Sequence, residues 1–274
     1  MSAPALLLLG HGSHDRRTAE ISRQIARGLR QIRPNLDVHS AFLDVCGPTV
    51  AEVGKRLAAA GTDEVVVVPL LLSDAFGAHE EVPAAVAQLS AAHPDLGVAA
   101  SRPIGPEAQL LSVIDRRLRD ALRARHVSEL DGLVFAAAGS PDVRSNAIVA
   151  RRARQWATHH KLPCVTSFAT GSGPSTAEAV RTLRSQGRRH IAVGSWFLSP
   201  SLLWVRQAEM ALEAGAVAVS DPMGGEPEVA EVALTRYVVA AMDLVDLDTP
   251  AVVEPVDVEV EDFTPVRHLS VVGA

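Results

Sequence analysis

The chain has 274 residues, enough for one large or two ordinary domains, and its 47% hydrophobic and 21% charged residues match a globular protein. A formal net charge of −6 offers no overall basic face for nucleic acid, and the apolar run at 65–72 is far too short to span a bilayer. Cys46 and Cys164 make neither a disulfide framework nor a CxxC metal site, and with no secretory leader ahead of Leu6 the expected compartment is the cytoplasm.

Four leucines at 6–9 run into Gly10-His11-Gly12-Ser13, the pattern of a buried parallel strand entering a βα loop. Loops at the carboxyl ends of parallel strands converge on ligands, which places His11 at the functional end. Residues 18–32 carry apolar side chains at helical spacing, with Pro34 beyond the end. Residues 37–43 alternate as a second strand, and Thr49 caps a helix at 50–60 that Gly61 stops. A third strand, EVVVVPLLL, fills 64–72, where Pro69 lacks a ladder donor and predicts an edge position or a strand end. After the loop at 73–81, a helix is predicted from Pro83 to His93, a fourth strand at 98–101 and a long basic amphipathic helix at 107–125.

The pattern then begins again. Residues 132–137 run into Ala138-Gly139-Ser140, GPSTAE at 173–178 echoes GPTVAE at 47–52, and IAVGSWFLS at 191–199 echoes VVVVPLLLS at 65–73. The offset is 126–127 residues throughout, the signature of an internal duplication. Alternating strands and helices imply parallel sheets covered by helices. The expected organisation is two tandem homologous α/β domains, each a mainly parallel sheet flanked by helices, at 1–128 and 129–242. Residues 243–274 alternate acidic residues with Val and Pro and read as an acidic, loosely ordered tail.

Chemistry gathers in the first repeat. The second keeps Gly139 and Ser140 but has Ala138 where His11 stands, so the turn does not need the imidazole, while Gly10 and Gly12 are read as clearing space for a ligand. His79, Glu80 and Glu81 follow the third strand and fall at the same sheet end, and the matching loop of the second repeat has no histidine. Imidazoles with a carboxylate suit Fe, Co, Ni or Zn and leave open positions. His159 and His160 are neighbours on a helix, do not face one way and are read as surface. Both cysteines read as buried small hydrophobes, and Arg16, Arg17 and Arg102 as solvated. GHGSH is not a GxSxG elbow, and neither GxGxxG nor GxxxxGK[ST] occurs, so a serine nucleophile and a nucleotide cradle have no support.

His11-Gly12-Ser13, FLDVCGPTVAEV at 42–53, VVVPLLLS at 66–73 and the histidine–carboxylate loop closed by Pro83 resemble the sirohydrochlorin chelatases, the class II tetrapyrrole chelatases. AAAGS at 136–140, FATGSGPSTAEA at 168–179 and SWFLSPS at 195–201 extend the likeness, which covers about residues 5–240 and is similar to the long, two-domain actinobacterial form. The resemblance implies chelatase-like domains around a cleft, and insertion of a divalent metal into sirohydrochlorin. Ferrous iron would give sirohaem, cobalt would give a cobalamin precursor, and nickel is a further candidate ion. It implies no organic cofactor, with the metal as substrate, and no nucleic-acid or membrane partner. His11 carries over as a metal-handling histidine. The family's second histidine falls on Gly77 in this chain, with His79 two residues on as the candidate replacement. In this reading His11 and His79 hold the metal and accept pyrrole protons, and Glu80 or Glu81 relays them. Activity is expected to fall as pH drops through the histidine range, because a ligand must be unprotonated. The alternative reading is a metal- or tetrapyrrole-binding carrier without turnover. The duplication predicts a monomer with an internal pseudo-twofold, a dimer being the other arrangement.

Overall fold

The computed structural model describes residues 3–73, 78–171 and 173–247, with residues 78, 79 and 245–247 described by backbone alone. The first half runs β1 (Ala5–Gly10), α1 (Arg16–Ile32), β2 (Val38–Phe42), α2 (Val50–Ala59), β3 (Glu64–Pro69), α3 (Ala78–Ala92) and β4 (Gly97–Ala100). A 3-10 turn at Ala108–Leu110 leads into α4 (Leu111–Ala124). The second half repeats the order with β5 (Gly132–Ala137), α5 (Val143–His160), β6 (Cys164–Phe168), α6 (Thr176–Ser185), β7 (Ile191–Trp196), α7 (Leu202–Glu213), β8 (Ala218–Val219) and α8 (Pro227–Leu247).

Each half builds a parallel four-stranded sheet, ordered β2-β1-β3-β4 and β6-β5-β7-β8. The duplication extends to the caps. Thr49 with Glu52, and Ser175 with Glu178, form matching capping boxes at α2 and α6, while Asp15 and Asp142 cap α1 and α5.

Strand alternation divides each sheet's apolar side chains between two faces. Leu7, Leu9, Val65 and Val67 pack with Val53, Leu57 and Leu89 on the outer side of the first sheet. Leu6, Leu8, Val66 and Val68 belong to a second core that also contains Phe135, Trp156 and Trp196 of the other half. The closing helices are exchanged across this core. Helix α4 packs on β7 and β8, while α8 packs on β3, β4 and α1. The sequence division at 128/129 falls between α4 and β5, and both exchanged helices reach across it. Gly194 in β7 makes the close approach possible, since an added Cβ would sit 2.6 Å from the Trp156 ring and 2.8 Å from Ile114 Cγ2.

Several elements differ from expectation. β3 is an inner strand that ends at Pro69, so the missing donor falls where pairing stops and the edge alternative does not hold. Helix α3 begins at Ala78 and carries Pro83 inside it, which puts Glu80 and Glu81 in the first turn, ahead of the predicted start. Helix α8 continues to Leu247, so residues 243–247 are helical although the sequence predicted tail there. Buried Tyr237, Ala240 and Leu244 extend its inner stripe at i, i+3 spacing and the next turn. Residues 248–274 lie outside the described residues.

Candidate active site

β1 delivers His11 to the carboxyl edge of the first sheet. The parallel register pairs Gly10 with Phe42 and continues past both strands, with the Leu43 N–H donating to the Gly10 carbonyl (2.9 Å) and the Asp44 N–H to the His11 carbonyl (3.2 Å). Asp44 therefore lies beside His11, its Oδ1 3.1 Å from Nδ1. From the other side, the first turn of α3 brings Glu81 Oε2 to 3.6 Å from Nε2. One imidazole, 31% exposed and so reachable from solvent, stands between two half-exposed carboxylates.

The glycines flanking His11 make room for protein, where the sequence suggested a ligand. A Cβ on Gly10 would meet the Phe42 ring at 3.0 Å, and one on Gly12, whose φ is +99°, would lie 2.1 Å from the Asp44 carbonyl oxygen. Gly12 thus allows the chain after β2 to close against the turn and bring Asp44 to the imidazole. Its counterpart Gly139, at φ +85°, stands in the same relation to the Thr170 carbonyl.

His11 lines a cleft of ≈ 360 Å³ that both halves build. Phe42, Leu71 and Leu72 face Trp196, Phe197 and Leu202 across it. The halves are tied along it by Trp196 Nε1 donating to the Leu72 carbonyl (3.2 Å) and Thr18 Oγ1 donating to Ser199 Oγ (3.3 Å). Arg17 is turned onto Asp15 at 2.7 Å, and its guanidinium holds that capping carboxyl below the usual aspartate range.

Of the sequence-predicted residues, His11 and Glu81 come together, and exposed Glu80 is the neighbour of Glu81 in the same turn. The backbone of His79 lies in that turn; its side chain, like Gly77, is outside the described residues. Asp44 was not anticipated. At the repeat offset its place is taken by Thr170, while Gln207 stands for Glu81 and Ala138 for His11. Thr170 Oγ1 donates to the Ala138 carbonyl (3.0 Å) and Gln207 Nε2 to the Ala137 carbonyl (3.2 Å), so the second half turns the same positions inward to satisfy backbone.

These features define a duplicated α/β protein with a histidine–carboxylate group at the mouth of a cleft between its halves. The chain belongs to the CbiX family, whose model matches it twice, over residues 5–121 and 132–240. It is 26% identical over 209 residues to the sirohydrochlorin cobaltochelatase of Priestia megaterium, covering 75% of this chain and 68% of that one. It is 24% identical over 184 residues to the sirohydrochlorin ferrochelatase of Bacillus subtilis (strain 168), covering 65% and 68%. The structure of SirB from Bacillus subtilis with Fe3+ has the same fold, with a TM-score of 0.73 at 20% identity over 88% of this chain and 96% of that one. No helix among the described residues is long and apolar enough to cross a membrane.

Proposed function

We propose that the chain is a sirohydrochlorin chelatase, exchanging the two pyrrole protons of the macrocycle for a divalent metal ion, ferrous iron giving sirohaem or cobalt giving its cobalt counterpart. The observation that carries this reading is His11 held between Asp44 and Glu81 at the mouth of an apolar cleft. With Asp44 accepting from Nδ1–H, a metal-ligating His11 would direct its Nε2 lone pair to an ion lying between it and Glu81. The 3.6 Å between Nε2 and Oε2 matches the roughly 3.3–3.6 Å separating two donors on one tetrahedral first-row ion. Nitrogen and oxygen donors together suit Fe2+ and Co2+, and a two-donor hold leaves positions for water and then pyrrole nitrogen. Glu81 and Glu80 sit in a solvent-exposed turn suited to passing two protons outward as the metal enters the ring. His79, in the same turn, is proposed as the further imidazole. Apolar walls from both halves would cover the flat faces of the tetrapyrrole.

The test is anaerobic insertion of Fe2+ and of Co2+ into sirohydrochlorin, followed by absorbance. The wild type is expected to exceed the uncatalysed rate, and His11→Ala and Glu81→Gln to lose at least about 100-fold, the usual size of a lost proton-handling group. An unchanged rate in His79→Ala would remove that residue from the site. A wild type that binds Co2+ or sirohydrochlorin without exceeding the uncatalysed rate would overturn the enzyme reading in favour of a carrier.

A further inference from the structure

A second cluster of metal-ligating side chains lies away from the cleft, where α4 of the first half meets α5 of the second. Asp115 on α4 accepts a hydrogen bond from Trp156 Nε1 on α5, and the same carboxylate oxygen lies 2.7 Å from His160 Nε2. The ring of His159 stands edge-on to that of His160, centroids 5.0 Å apart. One ligating atom from each of Asp115, His159 and His160 lies within 4.8 Å of the others. The two neighbouring imidazoles, read from sequence as surface, converge on one carboxylate. They line a hollow of ≈ 380 Å³ with Leu130, Leu133 and Leu162.

We propose that Asp115, His159 and His160 bind a divalent transition-metal ion, and that the ion staples α4 to α5. Two imidazoles and a carboxylate are the donor set of borderline ions such as cobalt, nickel, copper and zinc. Trp156 already fixes the carboxylate from behind, as the hydrogen-bond partners of metal ligands do. The histidines occupy the last turn of α5, whose carbonyl end favours a cation. Arg119, which also lines the hollow and donates from Nε to the Asp115 carbonyl (3.1 Å), opposes it. Donors on a tetrahedral ion lie roughly 3.3–3.6 Å apart. The Asp115–His160 pair would therefore open slightly and the wider separations close by about 1 Å, within the reach of side-chain rotation. Leu133 at the start of β5 borders this hollow, while Ala138 just past its end borders the cleft. About 16 Å of strand separates the two sites.

The experiment titrates Co2+ into the full chain by calorimetry and follows thermal unfolding with and without it, in wild type, His11→Ala, His159→Ala and His159→Ala/His160→Ala. His159→Ala keeps the Asp115–His160 pair and so spares the helix contact. At Co2+ about 100-fold above Kd, a rise in Tm of roughly 5–10 °C is expected. The α4–α5 component of that binding and of the rise is expected to persist in His11→Ala, while His159→Ala weakens it at least tenfold and His159→Ala/His160→Ala abolishes it, leaving only the component that His11→Ala removes. A Co2+ response in the histidine variants equal to wild type, or one that vanishes with His11 alone, overturns the proposal.

Discussion

Asp44 touches the imidazole from the side opposite the proposed metal position, so in the proposed mechanism it would act through His11. Asp44→Asn keeps the shape but replaces the carboxylate acceptor, and kcat for metal insertion is expected to fall roughly 10–100-fold with KM for sirohydrochlorin little changed. A change confined to KM would instead place Asp44 against the tetrapyrrole. His11 was legible in the sequence because the duplicate keeps the turn and drops the imidazole. Asp44 was not, because its role follows from β1 and β2 being neighbours in parallel register, and no local period records which strands pair. Burial pushes the Cys164 thiol up to about 12, so it stays protonated at neutral pH. Iodoacetamide at pH 8, read by mass spectrometry, is expected to label Cys164 only after unfolding.

The exchanged helices mark the limit of what periodicity reveals. The strands, the caps of α2 and α6 and the repeat could be read off because each depends on residues a few positions apart or on direct self-similarity. The destinations of α4 and α8 could not, since an amphipathic face says that a helix is covered without saying by which sheet. Gly194 is the packing test of this exchange. Gly194→Ala drives a methyl into the Trp156 and Ile114 side chains and is expected to cost about 1–3 kcal/mol in urea unfolding. Polar contacts add to the link. Arg116 on α4 pairs with Glu226 at 2.8 Å and with Glu228 of α8 at 2.7 Å. The hydrogen bonds from Arg116 hold the Glu228 carboxyl below its ordinary value of 4.5. A depressed carboxylate stabilises the fold above its unfolded pKa and loses that effect as pH falls through the folded one. Glu228→Gln is therefore expected to lower stability by about 1 kcal/mol at pH 7, after allowance for solvent screening. The gap from wild type in chemical denaturation should close as the pH is taken well below 4.5.

Across the whole molecule, neither half contains all the helices that cover its own sheet. A fragment of residues 1–128 lacks α8 and so loses the helix that packs on β3, β4 and α1, which opens the core around Val66 and Val68. It is expected to show no cooperative thermal transition by circular dichroism, while the full chain unfolds in one step. A fragment melting as sharply as the full chain would show that the shared core is dispensable.

The same lacing bears on how a flat ligand enters. Two lobes joined by a simple hinge can swing apart like a clamshell, whereas opening lobes that clasp each other's closing helices would strain the packing of α4 on β7 and β8 and of α8 on β3 and β4. Under the proposed function, edgewise entry past the rim would leave that packing intact, and the metallated product would leave by the same route. Turnover would then be governed by side chains at the lip, such as Leu202, which is 66% exposed where it borders the cleft, and the body of the protein would serve as a rigid jig.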